Sequence, residues 1–175
     1  MFTLENLKTI VLFISIHTIN KTMVLRFSRG TFPCLSCAHC NNITKENSFT
    51  HPHTGKNILI NKYYTCESRY VVYPIKCPCG LAYVGEMTQK VKERIKQHKS
   101  NIRCKLLHLP IPAHFHEMKH TVSQLRYQVI DNVEPLRRGG DRQQILKKLE
   151  MRWINTLGTR TPGGLNKEYT PMLFI

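Results

Sequence analysis

Tyr73 and Tyr83 stand nine intervening residues apart, one ending the run Val71-Val72-Tyr73 and the other opening the run Tyr83-Val84-Gly85. Downstream, Arg94 and His98 are four residues apart, a spacing that puts both on one face of a helix. Two phenols, an imidazole and a guanidinium gathered at one point could move protons beside an anion, with the guanidinium as a fixed cation. A tyrosine on a strand is more plainly a packing residue with a wet hydroxyl, so the elements that carry these side chains decide between the two readings.

The two tyrosine runs are β-branched and aromatic, and Cys77-Pro78-Cys79-Gly80 between them is turn-forming, which predicts a hairpin. Centred on Pro78, it would set Tyr73 directly opposite Tyr83, about 5 Å apart on one face. Thr88 is the expected N-cap of the next helix, whose apolar stripe is Val91, Ile95, His98 and Ile102. A proline-led helix over 111–119 and an alternating third strand over 125–130 follow. After the turn at Gly139-Gly140, Asp141 starts a long helix with Gln144 in capping-box position and Ile145, Leu146, Leu149, Trp153, Ile154 and Leu157 as its apolar residues. Glu150 falls inside that stripe, where a carboxylate is costly unless it is paired, holds a metal, or sits at an edge that lets its head reach water. The element order predicts a small α+β domain with a short antiparallel three-stranded sheet flanked by helices.

The 175 residues suit one domain with a small appended module. Twenty-six Lys and Arg against eleven Asp and Glu give a formal charge of +15, a field that attracts polyanions, nucleic acid first. Basic charge is spread along the chain from Lys56 to Lys167, and neither a basic membrane-surface helix nor a lipid motif is evident, which argues against a membrane surface. The apolar run Ile10 to Ile16 is too short to span a bilayer. It resembles a signal-peptide core, but Glu5 precedes it and no small-x-small cleavage signal follows. Residues 1–30 match nothing after them; 31–70 form a Cys/His-rich lead-in, and 71–170 hold the hairpin and helices.

Seven cysteines, an odd number with clustered spacing, fit metal ligation in a reducing compartment better than disulfides. Cys34, Cys37 and Cys40 recur at every third position, and a structural zinc takes four Cys or His ligands. Cys66, His51 or His53 would complete that set. Cys77 and Cys79 with His114 and His120 offer a second set, against which stands a turn merely flanked by cysteines with His114 packed on the sheet. Cys104 reads as a packing residue at a helix end, and His108 and His116 as exposed polar residues.

From Val71 to Asn166 the chain resembles the GIY-YIG endonucleases, through the paired tyrosine motifs, the Arg94 and His98 helix, Glu150 and Asn166. It is similar in particular to the endonuclease domain of Penelope-like retroelements, in the runs His51-Pro52-His53-Thr54-Gly55, Cys77-Pro78-Cys79-Gly80-Leu81, Glu93-Arg94-Ile95, Ala113-His114-Phe115 and Arg137-Arg138-Gly139-Gly140. The resemblance implies a divalent-metal-dependent DNA endonuclease that leaves a 3′-hydroxyl, acts in the nucleus and follows a reverse transcriptase domain in its parent element. Tyr73 would act as general base or orient the attacking water, and Tyr83 would hydrogen-bond beside it. Arg94 would stabilise phosphate charge, and His98 would move a proton from Tyr73 or contact the phosphate. Glu150 would bind one Mg2+ or Mn2+, Asn166 would fix the site or contact substrate, and Cys77, Cys79, His114 and His120 would form an embedded zinc finger. A phenol acting as base requires a pKa depressed below its usual value near 10. Val71, Val72 and Val84 depart from the motifs conservatively, whereas Glu86, beside the expected phosphate, and the first 30 residues fit an alternative: an inactive, zinc-containing nucleic-acid-binding remnant.

Overall fold

The computed structural model describes residues 29–167; the apolar run from Ile10 to Ile16, and nearly all of the first segment, lie outside the described residues. The fold is α+β. In chain order it comprises β1 (Gly30–Phe32), β2 (Ser48–Thr50), β3 (Asn57–Leu59), β4 (Tyr63–Thr65), β5 (Val71–Lys76), β6 (Ala82–Met87), α1 (Val91–Arg103), α2 (Pro110–Glu117), β7 (Arg126–Tyr127), β8 (Asp131–Asn132) and α3 (Arg142–Leu157). Among the described residues no helix is long and apolar enough to cross a membrane.

β5 is the centre of the main sheet, buried at every position from Val71 to Ile75, as expected for a strand covered on both faces. It pairs antiparallel with β6, but the hairpin is centred on Cys79, not Pro78: Tyr73 lies opposite Gly85 and Ile75 opposite Tyr83. The turn sets this register. Cys77 N–H donates to Leu81 O at 2.8 Å, and Gly80 takes φ of 96°, giving a three-residue connection closed by a glycine that tolerates positive φ. A displacement of the centre by one residue moves each pairing by two, so the tyrosines stay on one face as diagonal neighbours.

The third strand is split. Ile75 pairs with Tyr127 in β7 and Val71 with Asn132 in β8, so five steps of the outer chain face four of β5 and one residue is in excess, as in a bulge. Pro74 explains the place: its carbonyl accepts from Gln128 N–H at 3.2 Å, but a proline returns no N–H to the ladder.

α1 begins at Val91, and Thr88 does not cap it. Two of its first N–H groups, on Val91 and Lys92, donate instead to the backbone carbonyls of Ser68 and Cys66, which satisfies helix-end donors without a side chain. The predicted stripe of Val91, Ile95, His98 and Ile102 is buried. α3 starts at Asp141, whose side chain accepts from Gln144 N–H at 2.9 Å, and ends at Gly158 with φ of 61°. Ile145 is largely exposed, while Leu146, Ile154 and Leu157 face the core with Glu150 among them.

The lead-in is not a separate body. β1 pairs with β4, β2 with β3, and its Ile43, Phe49, Ile60, Tyr64 and Cys66 belong to one hydrophobic core with β5, β6, α1 and α3. Polar seams reinforce the junction: Thr31 Oγ1 donates to Val129 O at 2.6 Å and Asn42 Nδ2 to Leu125 O at 2.9 Å.

Candidate active site and metal centres

The Tyr73 hydroxyl is the meeting point of the four groups that the sequence brings forward. It lies 2.9 Å from His98 Nε2 and accepts from Arg94 Nε at 3.3 Å. The His98 ring stands edge-on to both tyrosines, its centroid 6.0 Å from Tyr73 and 5.8 Å from Tyr83. Gly85 makes the space: a Cβ there would fall 2.7 Å from the Tyr73 hydroxyl oxygen and 2.8 Å from the Tyr83 ring. The glycine of the second tyrosine motif is therefore required by the phenol that crosses over it.

Protonation follows from burial. Burial and the Arg94 charge hold His98 down to about 3, so it is neutral, and its Nε2 shares a hydrogen bond with the Tyr73 hydroxyl. Burial pushes the Tyr73 phenol well above its ordinary value, Tyr83 and Glu150 add to the rise, and Arg94 opposes it. A phenol acting as base would need the opposite shift. Tyr73 is fully enclosed, and one guanidinium does not outweigh the cost of a buried phenolate. Tyr83 is only half-buried and, with Arg94, Gln97 and His98, lines a cavity of about 150 Å3 whose far wall is the first turn of α2, Pro110–Pro112. Gln97, overlooked in the sequence, takes the other end of the guanidinium: Arg94 Nη1 donates to its Oε1 at 2.6 Å, at the i, i+3 spacing that could have revealed it.

Glu150 is buried on α3, close enough to Tyr73 to affect its proton affinity. Asn166 is buried and grips both backbone groups of Val84: it accepts from the N–H at 2.9 Å and donates to the carbonyl at 2.7 Å. It thus clamps the strand that carries Tyr83 and Gly85. Glu86 is half-buried with Oε2 unpartnered; burial raises its pKa, and Arg94 and Lys147 oppose the rise.

Cys34, Cys37, Cys40 and Cys66 converge. The Sγ atoms of Cys34 and Cys37 are each 3.6 Å from that of Cys40, and Cys66 Sγ is 3.8 Å from it. A disulfide would need about 2 Å, whereas zinc with bonds of about 2.3 Å in a tetrahedron sets sulfurs about 3.8 Å apart. This cluster is positioned to bind a metal such as zinc. Cys66 is the fourth member, and His51 and His53 are elsewhere: His51 Nε2 meets Thr156 O and His53 Nε2 meets Gly158 O, both at 3.0 Å. They close the carbonyl end of α3, a contact across 105 residues that no local pattern reveals.

The second set also converges. Cys77 and Cys79 Sγ are each 3.2 Å from His114 Nε2, and His120 completes four ligand atoms within 4.8 Å of one another. His120 Nε2 is buried with no partner, a vacant donor or acceptor that a metal would satisfy. The set joins the hairpin tip to α2, the wall of the Tyr83 cavity. Cys104 is exposed at the end of α1, so it is not a packing residue; the helix has turned its last position to solvent. His108 and His116 are exposed as expected.

Compared with known proteins, the chain matches no family model, no curated sequence and no solved structure.

Proposed function

We propose that the protein is a divalent-metal-dependent DNA endonuclease of GIY-YIG type, with a fold of that type, derived from a Penelope-like retroelement in which a reverse transcriptase domain precedes it, and acting in the nucleus. The observation that carries the reading is the Tyr73 hydroxyl held between Arg94 Nε and His98 Nε2, beside a cavity that Tyr83 and Arg94 line. Arg94 offers the fixed cation a phosphate requires, and burial at the site strengthens its attraction for charge developing in the transition state. Tyr83 is the phenol within reach of solvent. Tyr73 is neutral and hydrogen-bonded to His98, so it orients the site, and a proton leaving it would have an acceptor in contact wherever His98 Nε2 is unprotonated. Glu150 would hold one Mg2+ or Mn2+, which would supply Lewis-acid stabilisation of the phosphate and a more acidic bound water. Asn166 keeps β6, and with it Tyr83, in register. Zinc at Cys77, Cys79, His114 and His120, and at the four-cysteine cluster, would be structural.

A second reading, an inactive nucleic-acid-binding remnant, is favoured by Glu86, whose carboxylate acts on the same Arg94 that a phosphate would need. Relaxation of supercoiled plasmid by the zinc-loaded chain with Mg2+ or Mn2+, beside Glu150→Ala, separates them. The expected result is nicking that needs added metal and drops by at least about 100-fold in the variant, on the scale of a lost electrostatic catalyst. Folded protein that retards DNA but leaves the plasmid supercoiled would establish the remnant.

A further inference from the structure

The flank of α1 turned away from Arg94 and His98 carries its own cationic row. Lys92, Lys96, Lys99 and Arg103 follow at intervals of four, three and four, which stacks them on one side of the helix. The four-cysteine loop rises opposite them. Between loop and helix runs a groove of two adjoining cavities, of about 590 and 310 Å3, that share Ala38, Lys99 and Arg103. The second continues past the end of α1 to Arg126.

Most of this charge is uncompensated. Lys92 is paired with Glu67, and Glu93 lies on the groove, but Lys96, Lys99, Arg103 and Arg126 form no ion pair among the described residues. Lys99 Nζ instead donates to Asn42 Oδ1 at 2.9 Å, which ties the helix to the loop and leaves its charge unpaired. His39, on the loop wall, has a buried Nδ1 with no partner. Four cations in a confined groove repel one another, and an anion with spaced negative charges would relieve that. From Lys92 to Arg103 the helix rises about 16 Å, a length that matches about five nucleotides per strand at 3.4 Å of rise along a duplex axis.

We propose that this groove binds the phosphodiester backbone of nucleic acid at a site separate from the Tyr73 centre, with the four-cysteine loop as its outer wall. One molecule could then contact a nucleic acid on both flanks of α1, at Arg94 on one side and along the lysine row on the other. The inference rests on nucleic acid being the ligand, as in the functional reading above, and not on cleavage. Charge sign and row length favour a phosphate backbone over an acidic polypeptide.

The test is fluorescence anisotropy of a short labelled duplex with the full, zinc-loaded chain over a salt series. The variants are Lys96→Gln/Arg103→Gln, and Ala38→Glu, which adds a carboxylate to both cavities and removes no cation. Lys96, Arg103 and Ala38 are all exposed, so the fold does not depend on them. We expect the double variant to lose about tenfold in affinity and its salt slope to fall by about 1.8, from two lost phosphate contacts; Ala38→Glu should weaken binding in the same direction. Unchanged affinity and slope in both variants would overturn the groove, as would an equal groove-dependent loss with polyglutamate as probe. Plasmid nicking, read in parallel, keeps the two proposals apart: parental nicking with groove-independent binding sinks only the groove, and groove-dependent binding without nicking sinks only the nuclease.

Discussion

The four-cysteine cluster and the Tyr73 centre are both polar clusters built into one hydrophobic core, and they are held together by opposite means. Around Tyr73 the groups complement one another: a guanidinium donates to the phenol oxygen and a neutral imidazole hydrogen-bonds to it. Cys34, Cys37, Cys40 and Cys66 are four copies of the same weak donor; burial pushes Cys37 up to about 12, and the Ser36 hydroxyl holds Cys34 down to about 6. Alike groups have little to offer each other, so that cluster is positioned for an ion from outside, whereas the phenol centre is already satisfied within the protein and leaves Arg94 and Tyr83 lining the cavity. The cysteine–histidine set stands between the two, since His114 can serve either thiol and only His120 is left without a partner.

The largest test of this contrast is to remove the ion. Zinc binding to a structural site contributes about 10 kcal/mol or more, comparable with the whole stability of a domain of about 5–15 kcal/mol. Chelation, or Cys40→Ser, is expected to abolish cooperative thermal unfolding, while Cys79→Ser keeps a cooperative transition and one zinc per chain. Metal analysis and circular dichroism read both. A Cys40→Ser chain that melts like the parent would show that the cluster does not depend on its ion.

Next in size is acid. The folded pKa of His98, about 3 against an ordinary 6.5, means that the proton prefers the unfolded chain. Its neutral burial therefore contributes in full above about pH 6.5 and is lost as pH falls toward 3, roughly 4 kcal/mol over the window. His98→Gln should flatten the fall in urea midpoint between neutral pH and about pH 4. Protonation of the thiol and imidazole ligands acts on both proteins alike, so identical slopes would mean that His98 is not the titrating group.

Gly85→Ala tests the complementary centre from the steric side. The added methyl would overlap the Tyr73 hydroxyl, and the phenol is enclosed and cannot swing away. We expect a loss of about 1–3 kcal/mol and release of the His98 contact, visible as a change in the histidine side-chain nitrogen resonances. An unperturbed His98 resonance would place the phenol elsewhere.

Much of this was legible in order and type. The strand, strand, helix, helix, strand, helix sequence and the α1 stripe follow from periodicity, and Glu150 was conspicuous because a carboxylate interrupts an apolar face. What escaped was set by contacts between distant parts of the chain. The hairpin register depends on a glycine conformation at Gly80, and the α1 cap on carbonyls of residues 66 and 68 in place of Thr88. Pro74 splits the third strand on its neighbour, not on itself. Cys66 joins its cluster from 26 residues downstream, and nothing local distinguishes it from His51 or His53 as the last ligand. The direction of the Tyr73 shift also follows from complete enclosure, which a strand pattern does not state.

The grip of His51 and His53 on the carbonyl end of α3 bears on which stretch of this chain could be inherited as a piece. That helix carries Glu150, and its last turn is held by residues that come before β5. A piece cut at Val71 would keep both tyrosine motifs, Arg94, His98, Glu150 and Asn166, and still lose the histidines at the carbonyl end of α3, the Thr31 seam and the core side chains Ile43, Phe49, Ile60, Tyr64 and Cys66. The transferable unit is therefore longer than its chemistry: it starts no later than Gly30, and exchange of the tyrosine-bearing half between proteins would have to carry the cysteine-bearing half with it.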